Sequence, residues 1–306
     1  MLKQNKTISI LGAPLDLGAG HRGVDAGPSA FRIAGLQKAL TQMGFSVIDE
    51  GNIQGETPEQ LEIGHSNARF LKEIAQACER QSEKVKELLE KNHFPLVLGG
   101  DHSIAIGTVA GMSSYYRDQG EDIGLIWVDA HADMNTPDTT ESGNIHGMPL
   151  SSSLGLGIEM LTHIGGFAPK VKPENVVLIG IRDLDVKEKE LVKKTGVKAY
   201  TMTDIDELGM PTVIRQAIEI AGSGTAGIHL SFDFDGLDPD IAPGVGTPVK
   251  GGIRYREAHL LMEKIALTGR LIGLEMVELN PILDIRNKTA ELGVELIQSA
   301  FGKRIL

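Results

Sequence analysis

The chain has 306 residues and a net charge of −11, and is 41% hydrophobic, 23% charged and 4% aromatic. That apolar content excludes a disordered chain, and the single Cys78 excludes a disulfide scaffold and fits a reducing cytosol. The acidic balance argues against nucleic acid as a partner and favours a cationic or neutral ligand, and no run of about 18 apolar residues suggests a membrane span.

Along the chain, short β-rich runs alternate with stretches of helical apolar spacing. Met1–Lys6, with two lysines, leads into the first run, Thr7–Leu11, which meets Gly12, Pro14 and Asp16 too early for a secretory signal. Pro28 after Gly27 opens a helix through Leu40. The run Phe45–Asp49 precedes a long amphipathic helix, Ala68–Lys91. Pro95–Leu98, Ile123–Val128, Asn175–Ile181 and Val197–Tyr200 follow, then a helix over Thr203–Ala221. Gly227–Phe232, a helix over Glu257–Ala266, the run Leu271–Val277 and a closing helix over Asn287–Phe301 complete the pattern. No linker or repeat interrupts it, so we read one α/β domain over residues 1–306, with a parallel sheet covered by helices on both faces. A closed eight-stranded barrel is the architectural rival. In either case the chemistry belongs at the carboxyl ends of the strands.

The residues there are chemically suggestive. Asp129-Ala130-His131-Ala132-Asp133 follows Val128 directly. Residues two apart at a strand end point the same way, so the spacing aims Asp129, His131 and Asp133 at one spot. Such groups repel and desolvate one another unless a cation sits between them. Oxygen ligands with an imidazole suit Mn²⁺ first, with Zn²⁺ or Fe²⁺ as options; the alternative is an acidic surface turn. Asp233-Phe234-Asp235-Gly236 repeats the logic after Phe232, where the alternative is an Asp-rich turn. Gly99-Gly100-Asp101-His102-Ser103 turns tightly after Leu98 and delivers His102 at the start of a helix. Together these ligands suffice for two ions sharing carboxylates.

The polar stretch Asn135–Gly147 starts two residues past Asp133 and must rim the cleft; its His146 titrates near neutrality and could shuttle protons. Glu278 ends the last strand, where a metal-free carboxylate could pair bidentately with a guanidinium. Glu275, of opposite parity, lies deeper and reads as structural. Asp185, in Gly180–Asp185, could hold an ammonium or simply cap a surface turn.

The sequence resembles the ureohydrolases, and within them the arginases. The matching stretches are Gly99–Ser103, Asp129–Asp133, Asn135–Gly147, Ser231–Pro239, Gly246–Val249 and Glu278–Pro281, with Arg22–Val24 and Gly27–Ser29 at the opening. They span essentially the entire chain. The resemblance implies a three-layer αβα sandwich with an eight-stranded parallel sheet, and two Mn²⁺ per subunit. One ion would take His102, Asp129, Asp133 and Asp233, the other Asp129, His131, Asp233 and Asp235. It further implies hydrolysis of L-arginine to L-ornithine and urea by a hydroxide bridging the two ions. Glu278 would orient the guanidinium, His146 would shuttle protons, and Asp133 and Asp235 would help hold the tetrahedral intermediate. Asn135, Thr140, Ser142 and Asn144 would contact the α-carboxylate, and Asp185, with Glu188 nearby, the α-ammonium; Thr247 would also contact substrate. The Asn135–Gly147 loop favours arginine over agmatine. Finally, the resemblance implies a cytoplasmic homo-oligomer, a trimer or hexamer, with no nucleic-acid or membrane partner.

Overall fold

The computed structural model describes residues 6–56 and 58–304; the lead-in lysine Lys3 lies outside them. The strands are β1 (Ile8–Ala13), β2 (Val47–Asn52), a two-residue hairpin of β3 (Gly64–His65) and β4 (Ala68–Arg69), β5 (Phe94–Gly99), β6 (Asp122–Val128), β7 (Val176–Ile181), β8 (Lys198–Thr201), β9 (Thr225–Asp233) and β10 (Leu271–Val277). Eight of them form one open sheet in the order β2-β1-β5-β10-β9-β6-β7-β8, parallel at every pairing. The barrel alternative is therefore excluded, and the eight-stranded parallel sandwich is the fold.

The helices are α1 (Gly27–Ile33), α2 (Leu36–Gln42), α3 (Leu71–Glu90), α4 (Ala105–Arg117), α5 (Pro149–Ser153), α6 (Glu159–Thr162), α7 (Val186–Thr195), α8 (Met202–Leu208), α9 (Met210–Gly222), α10 (Tyr255–Thr268) and α11 (Lys288–Ala300). Alternation along β6 explains the two helical layers. Ile126 and Val128 join the core formed with α1, α2, α8, α9, α10 and α11. Leu125 and Trp127 join the core formed with α3, α4 and α7. Each such side chain contributes about 1.5–3 kcal/mol of burial on its own face, so the central strands must be apolar on both. Among the described residues, no helix is long and apolar enough to cross a membrane.

The expected helices differ from the observed ones where backbone conformation overrides periodicity. The stretch from Pro28 to Leu40 divides into α1 and α2 at Gly35, which has φ 83°. Thr203–Ala221 divides into α8 and α9 at Gly209, with φ 76° and ψ 140°, just before Pro211. The helix expected from Ala68 starts at Leu71, because Ala68 and Arg69 pair in the small hairpin and Phe70 takes φ 53°. The second strand is displaced to Val47–Asn52, and its exposed edge position explains why its apolar signal is weak.

Chain order places the functional edge. The first six strands of the sheet leave a gap between β5 and β6, and β9 and β10 fill it late in the chain. The carboxyl ends of β5, β10, β9 and β6 thus stand side by side, at the crevice where open α/β sheets bind ligands. Close packing at the opposite edge of the sheet leaves little tolerance. A Cβ on Gly124 of β6 would fall 1.8 Å from the Ala221 carbonyl oxygen of α9. Gly124→Ala is expected to lower the unfolding free energy by about 1–3 kcal/mol or more, as is typical of overpacking, read from urea denaturation followed by circular dichroism.

Candidate metal centre

Three of the strand ends close in the same way. After β5, β6 and β9 a carboxylate Oδ1 accepts the backbone N–H two residues ahead: Ser103 N to Asp101 at 2.9 Å, His131 N to Asp129 at 2.6 Å, and Asp235 N to Asp233 at 2.7 Å. Asp favours such turns because its short side chain reaches its own backbone. In Asp129 and Asp233 the turn occupies Oδ1 and leaves Oδ2 aimed inward, where both lie 3.1 Å from His102 Nδ1. Asp133 Oδ2 lies 2.9 Å from the same nitrogen. On the other side, His131 Nδ1 is 3.0 Å from Asp235 Oδ2 and 3.3 Å from Asp129 Oδ1. Asp129 thus turns one oxygen to each imidazole. The ligand-type groups fall into two clusters that share it: His102, Asp129 and Asp133, and Asp129, His131 and Asp235.

The convergence of Asp129, His131 and Asp133 does not come from strand parity, as the spacing suggested. β6 ends at Val128, and Asp133 reaches the site because it holds a left-handed φ of 52°. Non-glycine residues in that region cost of order 1 kcal/mol or more and gather at functional sites. Ala132 and Met134 point away into the core.

Several groups hold the imidazoles and carboxylates. His102 Nε2 bonds Ser231 Oγ at 2.8 Å, which directs Nδ1 into the site, and the ring stacks on Trp127 at 4.0 Å. Trp127 Nε1 donates to Asp129 Oδ2 at 3.0 Å. Ala130 N donates to Asp235 Oδ1 and Thr247 Oγ1 to its Oδ2. Neither Trp127 nor Ser231 stood out in the sequence, although each lies two residues before a ligand on the same strand parity, which was the available signal.

Electrostatics test whether these residues fit a cation. His102 Nδ1 and Asp133 Oδ2 are buried polar atoms without a hydrogen-bond partner. Burial, then the charge of Asp129, pushes Asp133 up to about 7. Burial and the neighbouring carboxylates likewise raise Asp233 and Asp235. Both imidazoles are held protonated: burial opposes this, but the facing carboxylates outweigh it. Orphaned donors of nitrogen and oxygen type, crowded carboxylates and borrowed protons are what a divalent-cation site looks like without its ions. The residues fit.

Beside the clusters lies a cavity of about 250 Å³, lined among others by Asn135, His146, Asp183, Asp185, Glu188, Thr247 and Glu278. Glu278 leaves β10 with φ 63°. Its Oε1 accepts His102 N at 2.9 Å and meets His146 Nδ1 at 3.0 Å. That pairing, against the opposing effect of burial, raises His146 to about 9 and draws Glu278 below the usual range. Asp185 caps α7 by accepting Glu188 N at 2.8 Å and also accepts Asn135 Nδ2 at 2.9 Å. Glu188 is buried and accepts Met134 N at 3.0 Å, and burial pushes it up to about 8. Thr140, Ser142 and Asn144 are not in the cavity wall. The two hydroxyls accept Gly143 N and Asn144 N within their own loop, and Asn144 Oδ1 meets Arg69 at 3.4 Å. Glu275 is fully buried against His229, the structural position expected.

Fold and site together define an α/β protein with a paired His/Asp centre at the carboxyl edge of its sheet. A family model described as the Arginase family matches residues 6–302. The arginase of Bacillus caldovelox is 52% identical over 302 residues, 98% of this chain and 100% of that one. Its structure superposes with a TM-score of 0.94, at 51% identity and with 98% and 100% of the two chains covered. The arginase of Entamoeba histolytica, solved in complex with L-ornithine, is 33% identical with a TM-score of 0.89, covering 97% and 99%. The chain belongs to the arginase family, a family of metal-dependent enzymes.

Because ligands must give up their protons to a metal, and both imidazoles and Asp133 are pushed up toward their protonated forms, loading is expected to release protons. Divalent-metal affinity is expected to fall as the pH is lowered from about 8 to about 6. Calorimetric titration in two buffers of different ionisation enthalpy measures the proton release directly. Asp129→Ala, which removes the shared carboxylate, is expected to abolish binding at both clusters, read by elemental analysis after dialysis.

Proposed function

We propose that the protein hydrolyses L-arginine to L-ornithine and urea, with two Mn²⁺ ions held by the two clusters. The observation that carries this reading is Asp129, whose two carboxylate oxygens face two different imidazoles; the arginase relatives supply the reaction. In this reading one ion is held by His102, Asp129, Asp133 and Asp233, and the other by Asp129, His131, Asp233 and Asp235. When bound, the ions supply an activated water near neutral pH and fixed positive charge for the tetrahedral stage.

The remaining work falls to this chain's residues. A guanidinium is a poor electrophile because its charge is delocalised, so it must be held close and in one orientation. Glu278 does this. Both of its contacts named above use Oε1, so Oε2 is left to take a guanidinium N–H. His146, partly exposed and tied to Glu278, holds a proton at Nδ1 and passes it to the departing amine or to bulk water. Asp133 and Asp235 keep their carboxylates at the reacting carbon and help hold the tetrahedral stage. Asp185 and Glu188 offer negative charge to the α-ammonium, and Thr247 presents its hydroxyl at the cavity wall. Asn135, in that wall, takes the α-carboxylate, with Thr140, Ser142 and Asn144, which lie outside the wall on the loop that joins Asn135 to His146, adding hydroxyl and amide donors where the substrate extends beyond the cavity. The Entamoeba relative was solved with L-ornithine, the product expected here. We further propose a single catalytic domain over residues 1–306, assembled as a cytoplasmic homo-oligomer, a trimer or hexamer; the sole cysteine, buried Cys78, suits a reducing compartment.

A urea-release assay with Mn²⁺ tests the reading: arginine is expected to be turned over and agmatine, at equal concentration, far less. Turnover of agmatine but not arginine would overturn the substrate. Glu278→Gln is expected to lower kcat by about 10²–10³-fold, the scale of losing one preorganised electrostatic group, with both ions retained. Asp185→Ala is expected to raise KM for arginine by about tenfold or more, the equivalent of one charge-assisted contact, and to weaken agmatine, which keeps the same ammonium, to a similar degree.

A further inference from the structure

Arg182 is spent in an unusual way for a cation beside a substrate cavity. It follows β7 directly, is half-buried, and makes no ion pair within 4.0 Å among the described residues. Its guanidinium instead donates to backbone carbonyls only. Nη2 reaches Asp235 O at 2.6 Å, Val249 O at 2.7 Å and Leu237 O at 3.1 Å. Nη1 reaches Gly236 O and Gly180 O, each at 3.1 Å, and Nε reaches Val249 O at 3.2 Å. Three consecutive carbonyls, Asp235, Gly236 and Leu237, therefore turn toward one side chain that reaches them from the end of β7, across the intervening β6.

Those carbonyls belong to the turn that carries Asp235, and Val249 belongs to the segment that carries Thr247. Thr247 in turn donates to Asp235 Oδ2 at 2.8 Å. In the His131 cluster, Asp235 and the Thr247 that holds it thus stand on two loops that a single guanidinium ties together. The His102 cluster is not: its imidazole is held by Ser231 and Trp127, and its Asp133 by its own left-handed backbone. A planar fork with five donors on three nitrogens can reach the carbonyls of five residues, more than an ammonium's three donors on one atom can.

We propose that Arg182 is a positioning residue that fixes Asp235 and Thr247 by binding the Asp235–Leu237 and Val249 carbonyls, and so sets the affinity of the ion position at His131 without setting that at His102. The inference rests on the two-ion reading above. Removing such a support is expected to weaken the ion at His131 by about 10–100-fold, the usual cost of losing an outer partner of a ligand, and to leave the ion at His102 close to its original affinity.

The experiment strips the full-length protein of metal and titrates Mn²⁺ back into wild type, Arg182→Met and Arg182→Lys. Bound metal is read by equilibrium dialysis, and electron paramagnetic resonance distinguishes isolated from coupled ions. The expected result is two ions in wild type, and a wide range of Mn²⁺ concentration over which Arg182→Met holds one isolated ion, with Arg182→Lys intermediate. Equal weakening of both ions, or of neither, in a variant with a native circular dichroism spectrum would overturn the proposal. Should Arg182→Met fail to fold, Arg182→Lys alone must still show the selective loss. A wild type that takes up a single ion would defeat the two-ion reading itself, whereas two ions in wild type with an unchanged affinity ratio in the variants would defeat only the role of Arg182.

Discussion

Four buried carboxylates, one buried imidazole and one half-buried one meet in imidazole–carboxylate contacts of about 3 Å at the carboxyl edge of the sheet. Ionised carboxylates at such separations cannot coexist out of water without positive charge among them. The constraint shows in the groups themselves: against the effect of burial the facing carboxylates push both imidazoles up, and burial with the neighbouring carboxylates pushes Asp133 and Asp233 up. Much of what surrounds the site serves to hold those groups together despite their repulsion. Trp127 and Ser231 fix one imidazole and one carboxylate, the Asx turns engage one oxygen of Asp129 and Asp233, and Arg182 gathers the turn that bears Asp235.

The sheet makes that crowding affordable in stability. β5, β6 and β9 and their neighbour β10 bury side chains on both faces, and the cores on either side involve most of the helices. At the site the strain falls on the edge, where two residues, Asp133 and Glu278, adopt left-handed backbone. Division of labour follows from position. The clusters sit deepest, Glu278 and His146 stand beside them as a hydrogen-bonded pair, and Asp185, Glu188 and Asn135 line the outer wall.

The alternation of apolar runs with helical spacing was enough to read the α/β class, because strands buried on both faces leave a continuous apolar signature. The three Asp-rich motifs, and Glu278 at a strand's end, were legible for the same reason: a charged residue directly after such a run has few places to go except the edge. Helix breaks at Gly35 and Gly209 were less visible, since apolar spacing continues across them while the backbone turns. The hydroxyls of Thr140 and Ser142 illustrate the opposite limit. Their residue types suit ligand recognition, yet the same hydroxyls cap turns of their own loop, and residue type does not distinguish the two uses.

What the amino-acid order determined by itself was local: which residues form strands, which acids follow them, and which turns those acids close through their own backbone. What only the tertiary structure decided was adjacency. The motifs after β5, β6 and β9 lie tens to more than a hundred residues apart, and they meet because β9 and β10 enter the sheet between β5 and β6. Strand order arises from how whole helical layers pack across the sheet, a property of contacts remote in the chain. The same holds for Arg182, whose role is written in five carbonyls from three segments and in no feature of its own neighbourhood.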